Sequence, residues 1–291
     1  MRAVAVAGFC LLLACAGAAA SASRASRSDA SVFGGLGTWV DIYDAGVYAA
    51  PEQTAARIAA RGIVTVWVET GNYHSASDIV NPARLARLME ALHADGVRVV
   101  GWYLPGHTSP ALDTRRALAM LSFRTPNGQA LDGVALDIES TRLRNVGLRS
   151  RRAVALAQRV RQAAPQTPLA IIPFNPRGLE RHPHTWPAFP WAQLAATADA
   201  FAPMIYTSSS VKGFDATYGY VTRALRLLRD DTGEPDVPIH VIGGVANGLG
   251  PEEVAGFAAA VSDDGGTIGV SLYDWTTTRP AEWPVLSSLS G

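Results

Sequence analysis

The feature that most restricts the fold of this chain is a regular alternation of strand-like and helix-like segments. Eight short apolar runs have the pattern of buried strands, and helical patterns separate them. Strands that alternate with helices form parallel sheets, and eight such units in about 255 residues are typical of a (β/α)8 barrel, or TIM barrel. We therefore predict a single α/β domain of this architecture. The predicted strands cover residues 37–43, 63–69, 97–103, 131–140, 168–173, 198–206, 238–245 and 267–273.

A doubly wound open sheet is the other fold that alternating strands and helices can form. Such a sheet usually carries a Gly-rich phosphate-binding turn after its first strand. Here the first predicted strand ends in the sequence Asp-Ile-Tyr-Asp, residues 41–44, and no G-x-G-x-x-G pattern follows it. The absence of this turn from the sequence favours the barrel.

The N-terminal sequence indicates export. Residues 3–20 are small and apolar but short for a membrane span, so residues 1–22 are predicted to be a signal peptide. The preceding Leu-Leu-Ala and Cys15 also resemble a bacterial lipobox, which leaves a lipid anchor on Cys15 as the alternative. Residues 23–33 are predicted to be a polar linker and residues 34–291 the barrel. We expect a secreted or periplasmic protein, or a lipoprotein whose only membrane contact is that anchor.

Charge and motif content argue against several kinds of partner. The chain has 25 basic and 25 acidic residues, so its zero formal net charge gives no reason to expect nucleic-acid binding. The sequence contains neither the His and Cys spacing of a metal site nor a G-x-S-x-G nucleophile elbow. We therefore predict no metal, no cofactor and no nucleic-acid partner, and we expect a monomer.

The fourth predicted strand ends in two carboxylates. Residues 131–140 read LDGVALDIES, in which branched apolar residues alternate with Ala135, Asp137 and Glu139. Positions i and i+2 of a strand face the same side, about 6.6 Å apart, so the two carboxylates share a face. Burying an acidic pair is costly. The pair therefore indicates a functional site.

Aromatic, acidic and amide residues follow the other predicted strands. In a (β/α)8 barrel the active site is built from the C-terminal strand ends and the loops after them. Flat aromatic rings suit the C–H faces of sugars, and carboxylates and amides suit sugar hydroxyl groups. We therefore predict a cleft for a polysaccharide or oligosaccharide. Its predicted substrate-binding residues are Asp41, Glu69, Trp67, Tyr103, Asn175, Tyr206, Tyr273, Asp274 and Trp275.

The fourth strand resembles the signature of family 18 glycoside hydrolases, the chitinase-like barrels, which reads D-G-x-D-x-D-x-E. Asp132, Gly133, Asp137 and Glu139 match this signature, whereas Ala135 replaces its middle Asp. The resemblance implies that Glu139 is the general acid and that Asp137 orients the substrate's 2-acetamido group as an internal nucleophile. Ionising both of two neighbouring carboxyl groups is unfavourable, so one of the pair is expected to stay protonated near neutral pH, as a general acid requires.

Two further segments extend this resemblance. Met204 and Tyr206 are similar to the M-x-Y of the family's sixth strand, although Thr207 stands where an Asp usually follows. Tyr206 would then contact the acetamido group. Trp275, after the eighth strand, is similar to the Trp that forms the floor of the sugar site in that family.

The chain also resembles family 25 lysozyme-like hydrolases, which carry a D-x-E on the barrel and an Asp at the end of the first strand. Asp137, Glu139 and Asp41 match these positions. Together the resemblances imply a glycoside hydrolase that acts on an N-acetylated glycan, either chitin-like or peptidoglycan, and the N-terminal sequence indicates that it is exported. Two alternatives stay open. One is a two-carboxylate glycosidase that uses Glu69 or Asp41, and the other, suggested by Ala135, is a non-catalytic carbohydrate-binding barrel of the cell envelope.

Overall fold

The strands close into one parallel barrel in the computed structural model, which describes residues 29–207 and 211–289. The first strand pairs with both the second strand and the last, and the strands up to the sixth pair in chain order. The sixth segment pairs with the eighth, which completes the ring. This closure confirms the predicted (β/α)8 barrel and excludes the open sheet. The strand segments in the described residues are β1 (Gly35–Val40), β2 (Thr65–Asn72), β3 (Arg98–Leu104), β4 (Gly133–Ile138), β5 (Leu169–Pro173), β6 (Ala200–Phe201), β7 (Met204–Ile205), β8 (Ile239–Val245) and β9 (Thr267–Tyr273).

Helices surround the barrel, and six of those described have a proline in their first turn. Proline fits there because the first helical N–H groups have no partner within the helix. None of the described helices has the length and apolar character needed to cross a membrane. The helices are α1 (Ala45–Ala49), α2 (Pro51–Ala59), α3 (Pro82–Ala94), α4 (Pro110–Ser122), α5 (Val146–Ala163), α6 (Pro176–Arg181), α7 (Trp191–Ala195), α8 (Phe214–Thr232), α9 (Pro251–Asp264) and α10 (Trp283–Ser287).

The sixth barrel position is interrupted. The sequence predicts one strand over residues 198–206, but the structure has two short segments, β6 and β7, on either side of Pro203. Proline has no N–H to donate to a strand ladder, which explains the break. After it, β7 pairs with β8 and not with β5, so the sheet is open between β5 and β7 at its C-terminal end.

Alternate residues of each strand face two different apolar layers. Val134, Leu136 and Ile138 belong to the layer between the barrel and its helices, as predicted. Ala135 belongs to the second layer, which fills the barrel interior. Tryptophans dominate that interior, and Trp39 stacks on Trp67 with ring centroids 4.7 Å apart. The strand period of two therefore places large aromatic side chains directly beneath the C-terminal end of the barrel.

A short 3-10 helix, Ala30–Phe33, closes the opposite end of the barrel. The Phe33 ring is fully buried and lies 5.4 Å from the Trp67 ring. The Phe33 carbonyl oxygen lies 2.7 Å from Nδ1 of the buried His240, at the start of β8. Residues 30–33 were predicted to belong to the polar linker, but Val32 and Phe33 are apolar and are packed into the core. The barrel therefore begins before residue 34.

Candidate active site

A cavity of about 370 Å³ opens at the C-terminal end of the barrel. A larger cavity of about 750 Å³ lies outside the barrel between α4 and α5, but Asp113 is its only acidic lining residue. Four carboxylates converge on the smaller cavity, which makes it the candidate site. Its lining residues are Asp41, Tyr43, Glu69, Asn72, Tyr73, His74, Trp102, Leu104, Asp137, Glu139, Met204, Tyr206 and Tyr273.

Asp137 lies at the floor of this cavity, near the end of β4. Its side chain is 6% exposed, and its Oδ1 atom has no hydrogen-bond partner among the described residues. Burial raises the pKa of Asp137 well above its ordinary value, and the charges of Glu139 and Glu69 raise it further. A buried carboxyl group without a donor is stable in its neutral form. Burial and the two neighbouring charges therefore favour the protonated form of Asp137.

Glu139 follows β4 and is only partly buried, so that its carboxyl group reaches the open part of the cavity. Burial raises the pKa of Glu139 as well. A carboxyl group whose pKa is raised and that remains accessible has two properties of a general acid. Glu139 and Asp137 both line the cavity, as the strand alternation predicts.

Glu69 brings a third carboxyl group to the cavity, from β2. It is 4% exposed and accepts hydrogen bonds from Asn72 Nδ2 at 2.9 Å and from the Ile42 amide at 3.2 Å. Burial, which outweighs these two donors, raises the pKa of Glu69 to about 7, and the neighbouring Asp41 and Asp44 charges contribute. Because its charge in turn raises the pKa of Asp137, the acids of β2 and β4 form one electrostatic unit.

A group of three aspartates stands beside the cavity. Carboxylate oxygens of Asp41, Asp44 and Asp274 lie within 4.8 Å of one another. Burial raises the pKa of Asp44 to about 6, and the charges of the other two aspartates add to this rise. Asp274 accepts hydrogen bonds from Thr276 and Thr277, so it orders the loop after β9. Of the three, only Asp41 lines the cavity, and Tyr273 donates to it at 3.3 Å.

Tyr206 and Tyr273 form an aromatic wall, with ring centroids 6.2 Å apart. Burial raises the pKa of Tyr206, and the charges of Asp137 and Glu139 raise it further. The Tyr206 hydroxyl group is therefore protonated and available as a hydrogen-bond donor next to the β4 carboxyl groups. Trp102 adds an indole ring whose Nε1 atom is buried without a hydrogen-bond acceptor among the described residues.

Several predicted substrate-binding residues lie elsewhere. Trp67 is fully buried below the cavity, stacked between Trp39 and Phe33. Tyr103 faces the helices, where its hydroxyl group donates to Asp113 of α4 at 2.8 Å. Alternate residues of β3 face opposite sides, so Trp102 is the residue of this pair that reaches the cavity. Neither Trp67 nor Tyr103 therefore lines the cavity, contrary to the prediction.

The loops after β5 and β9 account for the other corrections. Asn175 caps α6 by accepting from the Arg177 amide at 3.0 Å, and its Nδ2 atom donates to Tyr220. Trp275 packs against Trp283, with ring centroids 5.6 Å apart, and lines a different surface depression. Asp274 lies behind the cavity rather than in its lining. Six predicted site residues are brought together in the lining: Asp41, Glu69, Asp137, Glu139, Tyr206 and Tyr273.

The structure also adds residues that the prediction missed. Asn72, Tyr73 and His74 reach the cavity because β2 continues to Asn72, three residues beyond its predicted end. A register shift between Glu69 and Gly71 allows both Glu69 and Asn72 to face this side. The other lining residues outside the predicted substrate-binding set follow β1 or occupy inward positions of β3 and β7, and they include Met204 of the M-x-Y segment: Tyr43, Trp102, Leu104 and Met204.

The position that carries the middle Asp of the family 18 signature is apolar in this structure. Ala135 is fully buried among residues of the barrel interior, including Trp39, Trp67 and Trp102. Ala135 and these indole rings belong to the same apolar layer of the barrel interior. The acidic neighbour that Asp137 has from a different strand is Glu69.

Comparison with known proteins supports the fold. No family model matches this chain, and no curated protein matches its sequence. Among solved structures, it superposes on an endo-β-1,4-mannanase from Thermotoga petrophila with a TM-score of 0.69 and 10% identity, covering 91% of this chain and 78% of the mannanase. The Bacillus cereus spore cortex-lytic enzyme SleL gives 0.66 and 9%, covering 91% and 75%, and a chitinase from Chromobacterium violaceum gives 0.58 and 15%, covering 89% and 99%. The chain therefore has the barrel fold that these glycoside hydrolases share.

Proposed function

We propose that this protein is an exported glycoside hydrolase that cleaves an N-acetylated glycan, chitin-like or peptidoglycan. The observation that carries the proposal is the grouping of Asp137, Glu139 and Tyr206 in one cavity, with the pKa of both carboxyl groups raised. The neighbours of the fold, which include a chitinase and a cortex-lytic enzyme, support the same class of reaction.

In the proposed mechanism Glu139 donates its proton to the glycosidic oxygen as the bond to the anomeric carbon breaks. The acetamido oxygen of the same sugar attacks the anomeric carbon, while Asp137 and Tyr206 orient the acetamido group. Water then opens the cyclic intermediate, with Glu139 accepting the proton of the water. The Oδ1 atom of Asp137, which has no hydrogen-bond partner among the described residues, can accept a hydrogen bond from the acetamido N–H and so orient the acetamido oxygen toward the anomeric carbon.

Glu69 compensates in this proposal for the missing carboxylate at Ala135. A carboxyl group at position 135 would lie beneath Asp137 on the same strand face, whereas Glu69 acts on Asp137 from β2. The electrostatic effect on Asp137 has the same sign, because each is a negative charge that raises the pKa of Asp137.

The test is Glu139→Gln, which keeps the shape of the side chain and removes its proton. We expect a loss of hydrolysis of about 10²-fold to 10⁴-fold with an unchanged circular dichroism spectrum. Glu252→Gln, at an exposed position of α9, is the matched control and keeps full activity. Turnover of chitin oligomers or peptidoglycan at nearly the wild-type rate in Glu139→Gln would contradict the assignment.

A two-carboxylate glycosidase is the second candidate, and the position of Glu69 in the cavity favours it. In that mechanism Glu69 or Asp41 acts on the anomeric carbon, and the acetamido group is not required. Cleavage of glycans that lack the 2-acetamido group would favour this candidate, whereas substrate assistance requires that they resist cleavage.

A non-catalytic carbohydrate-binding barrel is the third candidate, because the position of the middle Asp of the family 18 signature is occupied by Ala135 in apolar surroundings. Sugar binding that is unchanged in Glu139→Ala, with no product on long incubation, would favour it.

Export is proposed on sequence grounds, since residues 1–22 and Cys15 lie outside the described residues. The mass of the exported protein distinguishes the two routes. Cleavage after Ala22 gives an unmodified chain that starts at Ser23, and the lipoprotein route gives a diacylated chain that starts at Cys15. Retention of the full-length chain in the cytoplasm would contradict both routes.

A further inference from the structure

The rim of the cavity carries an aromatic side chain in a fixed position. Tyr73 lines the cavity, and its amide donates to the Leu104 carbonyl oxygen at 3.0 Å. The Tyr73 side chain packs directly over Gly106, where an added Cβ atom would lie 2.8 Å from the Tyr73 Cβ. The adjacent His74 ring is 4.2 Å from the Tyr73 ring. Backbone and side-chain contacts thus hold the Tyr73 ring at the edge of the site.

A guanidinium group lies against this ring. The Cζ atom of Arg142 is 5.0 Å from the centroid of Tyr73, within the range of a cation–π contact. Arg142 is three residues beyond Glu139, in the loop after β4, and its side chain is exposed. Within the described chain, no carboxylate forms an ion pair with Arg142. Stacking on Tyr73 occupies one face of the guanidinium group and leaves its N–H edges available to a ligand.

The charge of the cavity makes this cation significant. Asp41, Glu69, Asp137 and Glu139 line it, and its described lining contains no Lys or Arg. The described lining thus offers no Lys or Arg to pair with an acidic group on a bound glycan, and such a group would need a cation near the point where the glycan leaves the cavity. Arg142 is placed there through its contact with Tyr73. Arginine also matches a carboxylate geometrically, through two parallel N–H donors.

We propose that Arg142, positioned by Tyr73, binds a carboxylate carried by a sugar next to the cleavage site. The inferred substrate is then an acidic N-acetylated glycan whose sugars bear free carboxylate groups, as the lactyl ethers of peptide-free peptidoglycan strands do, rather than a neutral chitin-like chain. This inference rests on the proposed function, because it names the substrate of the same cavity.

Binding to an inactive enzyme tests the inference without requiring turnover. In the Glu139→Gln background, calorimetry would compare peptide-free peptidoglycan strands with the same strands after methyl esterification of their carboxylates. Arg142→Gln is expected to weaken binding of the free-acid strands about fivefold to tenfold, the effect of a partly exposed charged pair, and to leave binding of the esterified strands unchanged. Arg144→Gln removes the same charge from an exposed position two residues away in the same loop, and it is expected to change neither affinity.

Two results would overturn the inference. One is an equal loss of affinity for free-acid and esterified strands in Arg142→Gln, and the other is a selective loss of the same size in Arg144→Gln. Turnover by the otherwise wild-type enzyme separates the inference from the proposed function. Hydrolysis of chitin oligomers with no preference for acidic strands would refute the role of Arg142 and keep the hydrolase. Selective binding of acidic strands with no hydrolysis of any glycan would keep the role of Arg142 and refute the hydrolase.

Discussion

Glu69→Gln should change how the stability of the protein depends on pH. Glu69 is 4% exposed, and its pKa in the folded protein is about 7, compared with 4.5 for an ordinary glutamate. The folded protein therefore retains a proton that the unfolded chain releases between these two values. Since the folded-state pKa is the higher one, the free energy of unfolding decreases as the pH rises through this interval.

The size of the effect follows from the two pKa values. One pKa unit corresponds to about 1.4 kcal/mol, so the Glu69 contribution that disappears between about pH 4.5 and pH 7 is about 3 kcal/mol. Glutamine has no such titration. Its single amide oxygen can accept from only one of the two donors, Asn72 Nδ2 or the Ile42 amide, which bond different oxygens of Glu69, and the lost hydrogen bond lowers the stability equally at every pH. We expect the free energy of unfolding of the wild type to fall by about 3 kcal/mol more than that of Glu69→Gln between pH 4.5 and pH 8.

Urea unfolding followed by circular dichroism at a series of pH values measures this difference. The comparison cancels the groups that titrate identically in both proteins, which are those that do not interact with Glu69. Glu252→Gln, at an exposed position, should give a curve parallel to that of the wild type. Parallel curves for the wild type and Glu69→Gln would refute the conclusion that burial raises the pKa of Glu69.

Two other substitutions test the placement of single residues. Ala135→Asp restores the middle carboxylate of the family 18 signature but puts it among the buried indole rings of the barrel interior, so we expect a loss of about 2–5 kcal/mol in unfolding free energy and no gain in hydrolysis. A faster and equally stable variant in urea unfolding and hydrolysis assays would contradict this. Tyr103→Phe removes the hydrogen bond to Asp113 and should cost about 1–3 kcal/mol while leaving KM unchanged, because Tyr103 faces the helices. A raised KM with normal stability would indicate instead that Tyr103 contacts the substrate.

The sequence was sufficient to predict the barrel and the centre of its candidate site. The alternation of strands and helices is encoded in local hydrophobic patterns, and tertiary packing does not override them here. The parity of β4 predicted that Asp137 and Glu139 would share a face, and both line the cavity. Glu69, at the end of the second predicted strand, was found by the same reasoning. These features depend only on which strand a residue occupies and on whether its position faces inward.

The residues that sequence reasoning misplaced depend on local geometry that strand patterns do not encode. Tyr103 is adjacent to Trp102, and a shift of one residue in the inferred register reverses which of them faces the cavity. Asn175 follows β5 as predicted, but it caps α6, a short helix that the sequence pattern did not indicate. Trp275 lies in a loop whose path turns it toward Trp283. The register shift in β2, which brings Asn72 to the cavity, has no clear sequence signal.

The packing of Phe33 into the base of the barrel fixes the direction from which the polypeptide enters the domain. The Phe33 carbonyl oxygen meets His240 at the start of β8, whereas the carboxyl groups of the cavity stand at the opposite ends of the strands. An attachment made directly at Asp29, whether an affinity tag, a fusion partner or an immobilising support, would therefore hold the barrel by its base. The mouth of the cavity would face away from the attachment point and remain accessible to a polymer too large to diffuse around the protein.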